Sequence, residues 1–98
     1  MDIKQEKNLR SSVPITFNAP KELPRITEPY LCQITGPSLT TIHIETRSTL
    51  LSGTHNILTD ESGNGSFIID PLLRMTRGPI VVTASYENES VATTINLT

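Results

Sequence analysis

The chain is 98 residues long, with 36% hydrophobic and 18% charged residues, 8 Lys+Arg against 10 Asp+Glu, one Cys and no Trp. That length fits a single domain; a lone cysteine excludes an internal disulfide framework, and no run approaches the ~18 apolar residues of a membrane-spanning helix. A net charge of −2 argues against a nucleic-acid binder, which would present a basic surface. The 14 Thr, 11 Ile and 4 Val against 3 Ala give the fold class, because β-branched residues are stiff at χ1 and favour pleated strands. The expectation is an all-β protein.

Taken in chain order, residues 1–23 read as an extended N-terminal arm. They are too polar at their start (MDIKQEKNLRSSVPI) for a secretory signal peptide, which needs an uninterrupted apolar run. Pro14, Pro20, Pro24 and Pro29 recur every four to six residues, a spacing through which no central strand can run. A short edge or added strand at Val13–Phe17 is compatible with it. Residues 24–98 read as the globular body. After a short entry strand at Arg25–Thr27, Tyr30–Thr35 alternates Tyr30, Cys32 and Ile34 against Leu31, Gln33 and Thr35, then stops at Gly36-Pro37. Thr40–Ser48 sets Ile42, Ile44 and Thr46 on one face. Thr54–Asp60 leads into a turn at Asp60–Gly65, and Ser66–Asp70 carries Phe67 and Ile69 inward. Leu72–Arg77 allows one helical turn. Pro79–Glu87 and Val91–Leu97 are the last two strands, joined by the tight turn Glu87–Ser90. Seven short strands of period two, with no helical stripe, predict an antiparallel β-sandwich.

The charge divides at the same place as the architecture. Through Arg25 there are five basic and three acidic residues, a balance of +2; from residue 26 there are three basic and seven acidic, a balance of −4. The arm also carries Ile3, Leu9, Val13, Ile15, Phe17 and Leu23 among its basic residues, which include Lys4, Lys7 and Arg10. Such a segment is either a solubilising tail or one that orders by adding a strand to a partner's exposed edge.

The succession of motifs in residues 24–98 resembles the bacterial immunoglobulin-like repeat of surface adhesins and phage virions. A proline-flanked opening strand is matched by Pro24–Pro29, and a strand ending Thr-Gly by Thr35-Gly36. A turn rich in Asp, Gly and Asn before an aromatic strand is matched by Asp60, Gly63, Asn64 and Phe67; a leucine-bearing connection and glycine by Leu73 and Gly78, ahead of Ile80–Ala84. Two departures stand out: Gly65 and Ile80 occupy places where the family carries tryptophan and tyrosine. They imply a core filled by isoleucine and leucine. The resemblance implies an immunoglobulin-like sandwich with a spacer, adhesion or decoration role and no catalysis.

Candidate chemistry is sparse. Asp60, Ser62 and Asn64, followed by Gly65, echo the first half of a calcium loop, but the position of the bidentate Glu is Pro71. A plain turn, which needs Asn and Gly at positive φ, explains the same residues. Cys32 reads as a buried structural cysteine. His43 shares its face with Glu45 and Arg47 and points to solvent; His55 falls at the start of its strand, and neither has ligands at zinc spacing. No nucleophile elbow or phosphate loop occurs, so no cofactor and no enzymatic activity are expected. Three sequons occur, at Asn64, Asn88 and Asn96, where about one or two are expected by chance, and without a signal peptide they are not expected to meet the glycosylation machinery.

The functional expectation is a non-enzymatic accessory protein of a phage virion, assembled in the host cytoplasm and displayed on the virion surface. The arm (Ile3, Lys4, Lys7, Leu9, Arg10, Val13, Ile15, Phe17) would dock on capsid or tail proteins, or on neighbouring copies, while the sandwich projects. Host-surface carbohydrate or protein is a further partner class; nucleic acid and membrane insertion are not expected. The alternative is a spacer or ligand-binding repeat of a bacterial cell-surface adhesin.

Overall fold

Period-two alternation of Ile, Val and Thr makes each segment a strand with one apolar face, and the fold follows from where those faces meet. The computed structural model describes residues 14–76 and 78–98. Among them are eight strands and one helical turn: β1 (Thr16–Asn18), β2 (Glu22–Leu23), β3 (Tyr30–Thr35), β4 (Thr41–Arg47), β5 (Ser52–Leu58), β6 (Asn64–Ile69), α1 (Pro71–Arg74), β7 (Pro79–Tyr86) and β8 (Glu89–Leu97). They form two sheets, ordered β1-β3-β6 and β2-β8-β7-β4-β5. Every pairing is antiparallel except β2 with β8. The result is an immunoglobulin-like β-sandwich.

The inner faces close on Ile34 and Cys32 of β3, Ile42 and Ile44 of β4, Phe67 and Ile69 of β6, Ile80, Val82 and Ala84 of β7 and Ile95 of β8, all buried. Isoleucine dominates this core. Two buried threonines belong to the framework. Thr46 lies on the inner face of β4. Thr59 donates its hydroxyl to the Pro37 carbonyl at 2.6 Å and accepts from the Thr40 N–H at 2.9 Å, locking the β3–β4 and β5–β6 connections together. Both side chains have a partner, which is what lets a hydroxyl sit in an apolar layer.

The first strands correct the sequence reading. No strand forms over Arg25–Thr27. Instead β1 pairs with β3, with Phe17 opposite Ile34, and β2 pairs with β8, with Leu23 opposite Leu97. Ile15 and Leu23 are buried in the core. Residues 15–23 therefore belong to the sandwich, and the boundary drawn after residue 23 falls too late. The prolines do not forbid this, because both strands are edge strands and each is short enough to lie between two prolines. Strand β5 also begins earlier than expected, at Ser52. An edge position tolerates the glycine that follows, and His55 lies mid-strand instead of at a sheet end.

The registers define two poles. The β3–β4, β5–β6 and β7–β8 connections share one pole, and the β2–β3, β4–β5 and β6–β7 connections the other. Residue 14 stands at the first pole, beside the end of β3, and residue 98 at the second.

Candidate interaction surface

Among the described residues no group of three or more His, Cys, Asp or Glu is arranged to hold a metal. No helix among them is long and apolar enough to cross a membrane. The calcium-like residues build a turn. Asp60 Oδ1 accepts the N–H of Ser62 at 2.9 Å and of Asn64 at 2.8 Å, while the Gly63 N–H donates to the Asp60 carbonyl at 3.0 Å. Gly63 adopts φ 83, and its own carbonyl accepts the Gly36 N–H at 2.9 Å. One carboxylate oxygen of Asp60 is thus committed to two main-chain donors, an arrangement that turns use widely.

The docking residues expected on the arm divide into two groups. Ile3, Lys4, Lys7, Leu9, Arg10 and Val13 lie outside the described residues. Ile15 and Phe17 are corrected: Ile15 is buried and Phe17 packs half-buried against the same core. Their apolar surface is already covered by the chain's own sandwich, so neither is free for a partner.

Cys32 is fully buried on β3 opposite Phe67, and desolvation pushes its thiol up to about 11 from the ordinary 9.0. Thiolate is the reactive form, so a thiol reagent should modify Cys32 only as fast as the protein opens. Labelling followed by mass spectrometry with and without denaturant checks this. Fast native labelling would place the cysteine at the surface. Because the folded pKa is raised, the protein's preference for the neutral thiol is intact below pH 9.0 and is lost as pH climbs towards about 11.

His43 is exposed, as expected, and its Nδ1 lies 2.9 Å from Asn56 Oδ1 across the β4–β5 pair. His55 instead turns inward and tilts against Phe67, with ring centroids 6.5 Å apart. Arg74 has no counterpart in the sequence reading. It is buried, with one terminal nitrogen donating to the Glu28 carbonyl at 3.1 Å and the other to the Pro24 carbonyl at 2.9 Å. Its guanidinium also sits 5.8 Å from the Tyr30 ring centroid. It pins the strandless segment between β2 and β3 to the helical turn, so its role is structural. Only the basic residue ending a short helical turn hinted at it.

Two surfaces remain. The first pole is acidic: Asp60, Glu61, Glu87 and Glu89 are exposed there, and its three connections hold no basic residue. Desolvation, then the charges of Glu87 and Glu89, raise the Tyr86 phenol above its ordinary value. The second surface is the flank where the free edges of β5 and β6 run close together. An open depression there is lined by Leu31, His55, Ile57, Phe67 and Ile68, and neither strand carries an acidic or basic residue apart from His55.

No protein-family model and no curated protein sequence matches the chain. Among solved structures it is similar to the endo-beta-1,4-mannanase from Thermotoga petrophila, at TM-score 0.55 and 13% identity over 89% of this chain. The chain spans 20% of that protein's length. At this identity the likeness concerns the fold.

Proposed function

We propose that the protein is a non-catalytic structural module, an accessory component of a phage virion. Residues 1–13 dock on the capsid or tail lattice and the immunoglobulin-like sandwich projects from it. The observation that carries this reading is the placement of residues 14 and 98 at opposite poles, so that the sandwich stands between what is attached at one end and what is presented at the other. The resemblance of residues 24–98 to adhesin and virion repeats supports it, and many modest contacts on a symmetric lattice act together. With Ile15 and Phe17 taken into the core, docking falls to Ile3, Lys4, Lys7, Leu9, Arg10 and Val13. The same opposed ends suit a spacer repeat of a bacterial surface adhesin, which is the alternative. A third reading, a module of a larger enzyme, rests on the fold likeness to one fifth of a mannanase chain.

An antibody raised against the sandwich tests these readings on fractionated cultures of the encoding organism. Label on purified virions is the expected result, and label on the cell surface favours the adhesin spacer instead. Label confined to the cytosol, or co-eluting with a secreted mannanase activity, overturns both.

A further inference from the structure

The four sheet edges are treated unequally by the sequence. On one flank β1 and β2 are three and two residues long and lie among Pro14, Pro20, Lys21 and Pro24. Short strands, proline and lysine are the usual means of keeping an edge from pairing. On the other flank β5 ends the larger sheet with seven residues, Ser52–Leu58, and has none of these protections. From Ser48 to Thr59 the chain contains no Asp, Glu, Lys, Arg or Pro. Exposed leucines bracket the strand: Leu50 is 82% exposed before it and Leu58 is 66% exposed at its end.

We propose that β5 is a self-association edge, pairing antiparallel with β5 of a second copy to give a continuous ten-stranded sheet. A second copy fits for two reasons. Each sandwich is acidic, with a net −3 over residues 14–98, and an edge without Asp, Glu, Lys or Arg lets two copies approach without setting carboxylates or ammonium groups opposite each other. The strand also has a register in which it can pair with itself. A two-fold axis perpendicular to the sheet requires paired residues of the same strand to lie on the same face, so the axis passes through a residue; His55 is the middle of the seven. That register sets Thr54 opposite Asn56 of the second copy and Ser52 opposite its Leu58. Leu50 belongs to the turn before β5, where the Ser48 N–H donates to the Leu51 carbonyl at 2.7 Å, and so stands outside the ladder. The exposed Leu58 of each copy is covered, one at each end of the ladder, while the edge amides and carbonyls gain partners.

The test uses sedimentation equilibrium of the full chain from micromolar to near-millimolar concentration. A reversible two-chain species is expected. Thr54→Lys with Asn56→Lys places ammonium groups opposite each other twice and should raise the dimer dissociation constant by at least about tenfold. Thr54→Lys with Asn56→Glu sets opposite charges face to face in the same register and should restore association. Both positions are exposed, and a melting curve for each variant confirms that it folds. A chain that stays monomeric, or a dimer indifferent to the double lysine variant, overturns the proposal. So does a dimer lost only when residues 1–13 are removed, which would identify that segment as the contact. The dimer stands or falls apart from the virion role, since neither antibody label nor its location enters the measurement.

Discussion

Phe67→Ala should lower the unfolding free energy by about 3–5 kcal/mol, the range for removing a buried phenylalanine. The side chain is 4% exposed on β6, opposite Cys32 and against the His55 ring. It is the one aromatic of the fully buried core among the described residues; Phe17, Tyr30 and Tyr86 pack only partly buried around it. Its neighbours are stiff, β-branched isoleucines on hydrogen-bonded strands, which cannot collapse into the vacated volume. A domain of this size has about 5–15 kcal/mol in all, so the loss should shift the melting temperature by well over 10 °C at about 4–8 °C per kcal/mol. Urea or thermal unfolding monitored by circular dichroism gives the value. A cost below about 1 kcal/mol, the level of a surface change, would contradict Phe67 as a core residue.

Gly63→Ala is the second large effect, and Gly78→Ala is its control. The two glycines have nearly the same backbone, φ 83 and φ 85. Forcing an L-residue into that region costs about 1–2 kcal/mol, and this part should be common to both variants. Their surroundings differ. A Cβ at Gly78 would meet nothing within 4 Å, whereas one at Gly63 would come within 2.2 Å of the Gly36 carbonyl oxygen. That atom belongs to backbone, so relief requires parting the two loops and breaking the Gly36 N–H bond to the Gly63 carbonyl. The lost hydrogen bond and displaced packing add about 1–3 kcal/mol. Gly63→Ala should therefore be the more damaging by that margin in parallel unfolding experiments. Equal losses would mean that the loops are not held together at this point.

The two predictions differ in how far the sequence foreshadowed them. Phe67 was legible, because it stands at an odd position between Gly65 and Ile69 in an alternating strand after a turn. Gly63 was legible as a turn glycine, but its contact with Gly36 joins residues far apart in the chain. The same division runs through the candidate surfaces. Thr41–Arg47 and Pro79–Tyr86 could be read with their inward faces correct, since period two alone tells Ile42 and Ile44 from His43 and Glu45. That β5 would be an edge could not be read, because alternation is the same at an edge as in the middle of a sheet.

By itself, then, the sequence determined the all-β class, the strand faces, the turns and an isoleucine-rich core, all of which depend on residues near one another in the chain. Only the tertiary structure decided what happens to residues 15–23. Their few apolar groups look like those of a solvated arm until β3 and β8 offer open edges beside a core with room for Ile15 and Leu23. Likewise only the assembled loops supply the carbonyls that hold the Arg74 guanidinium, and only the sheet order leaves one edge of β5 unpaired. Local pattern fixes which face of a strand is apolar; long-range pairing fixes which edges are left over. The acidity of the body also has a spatial meaning, since Asp60, Glu61, Glu87 and Glu89 gather at the pole where residue 14 stands.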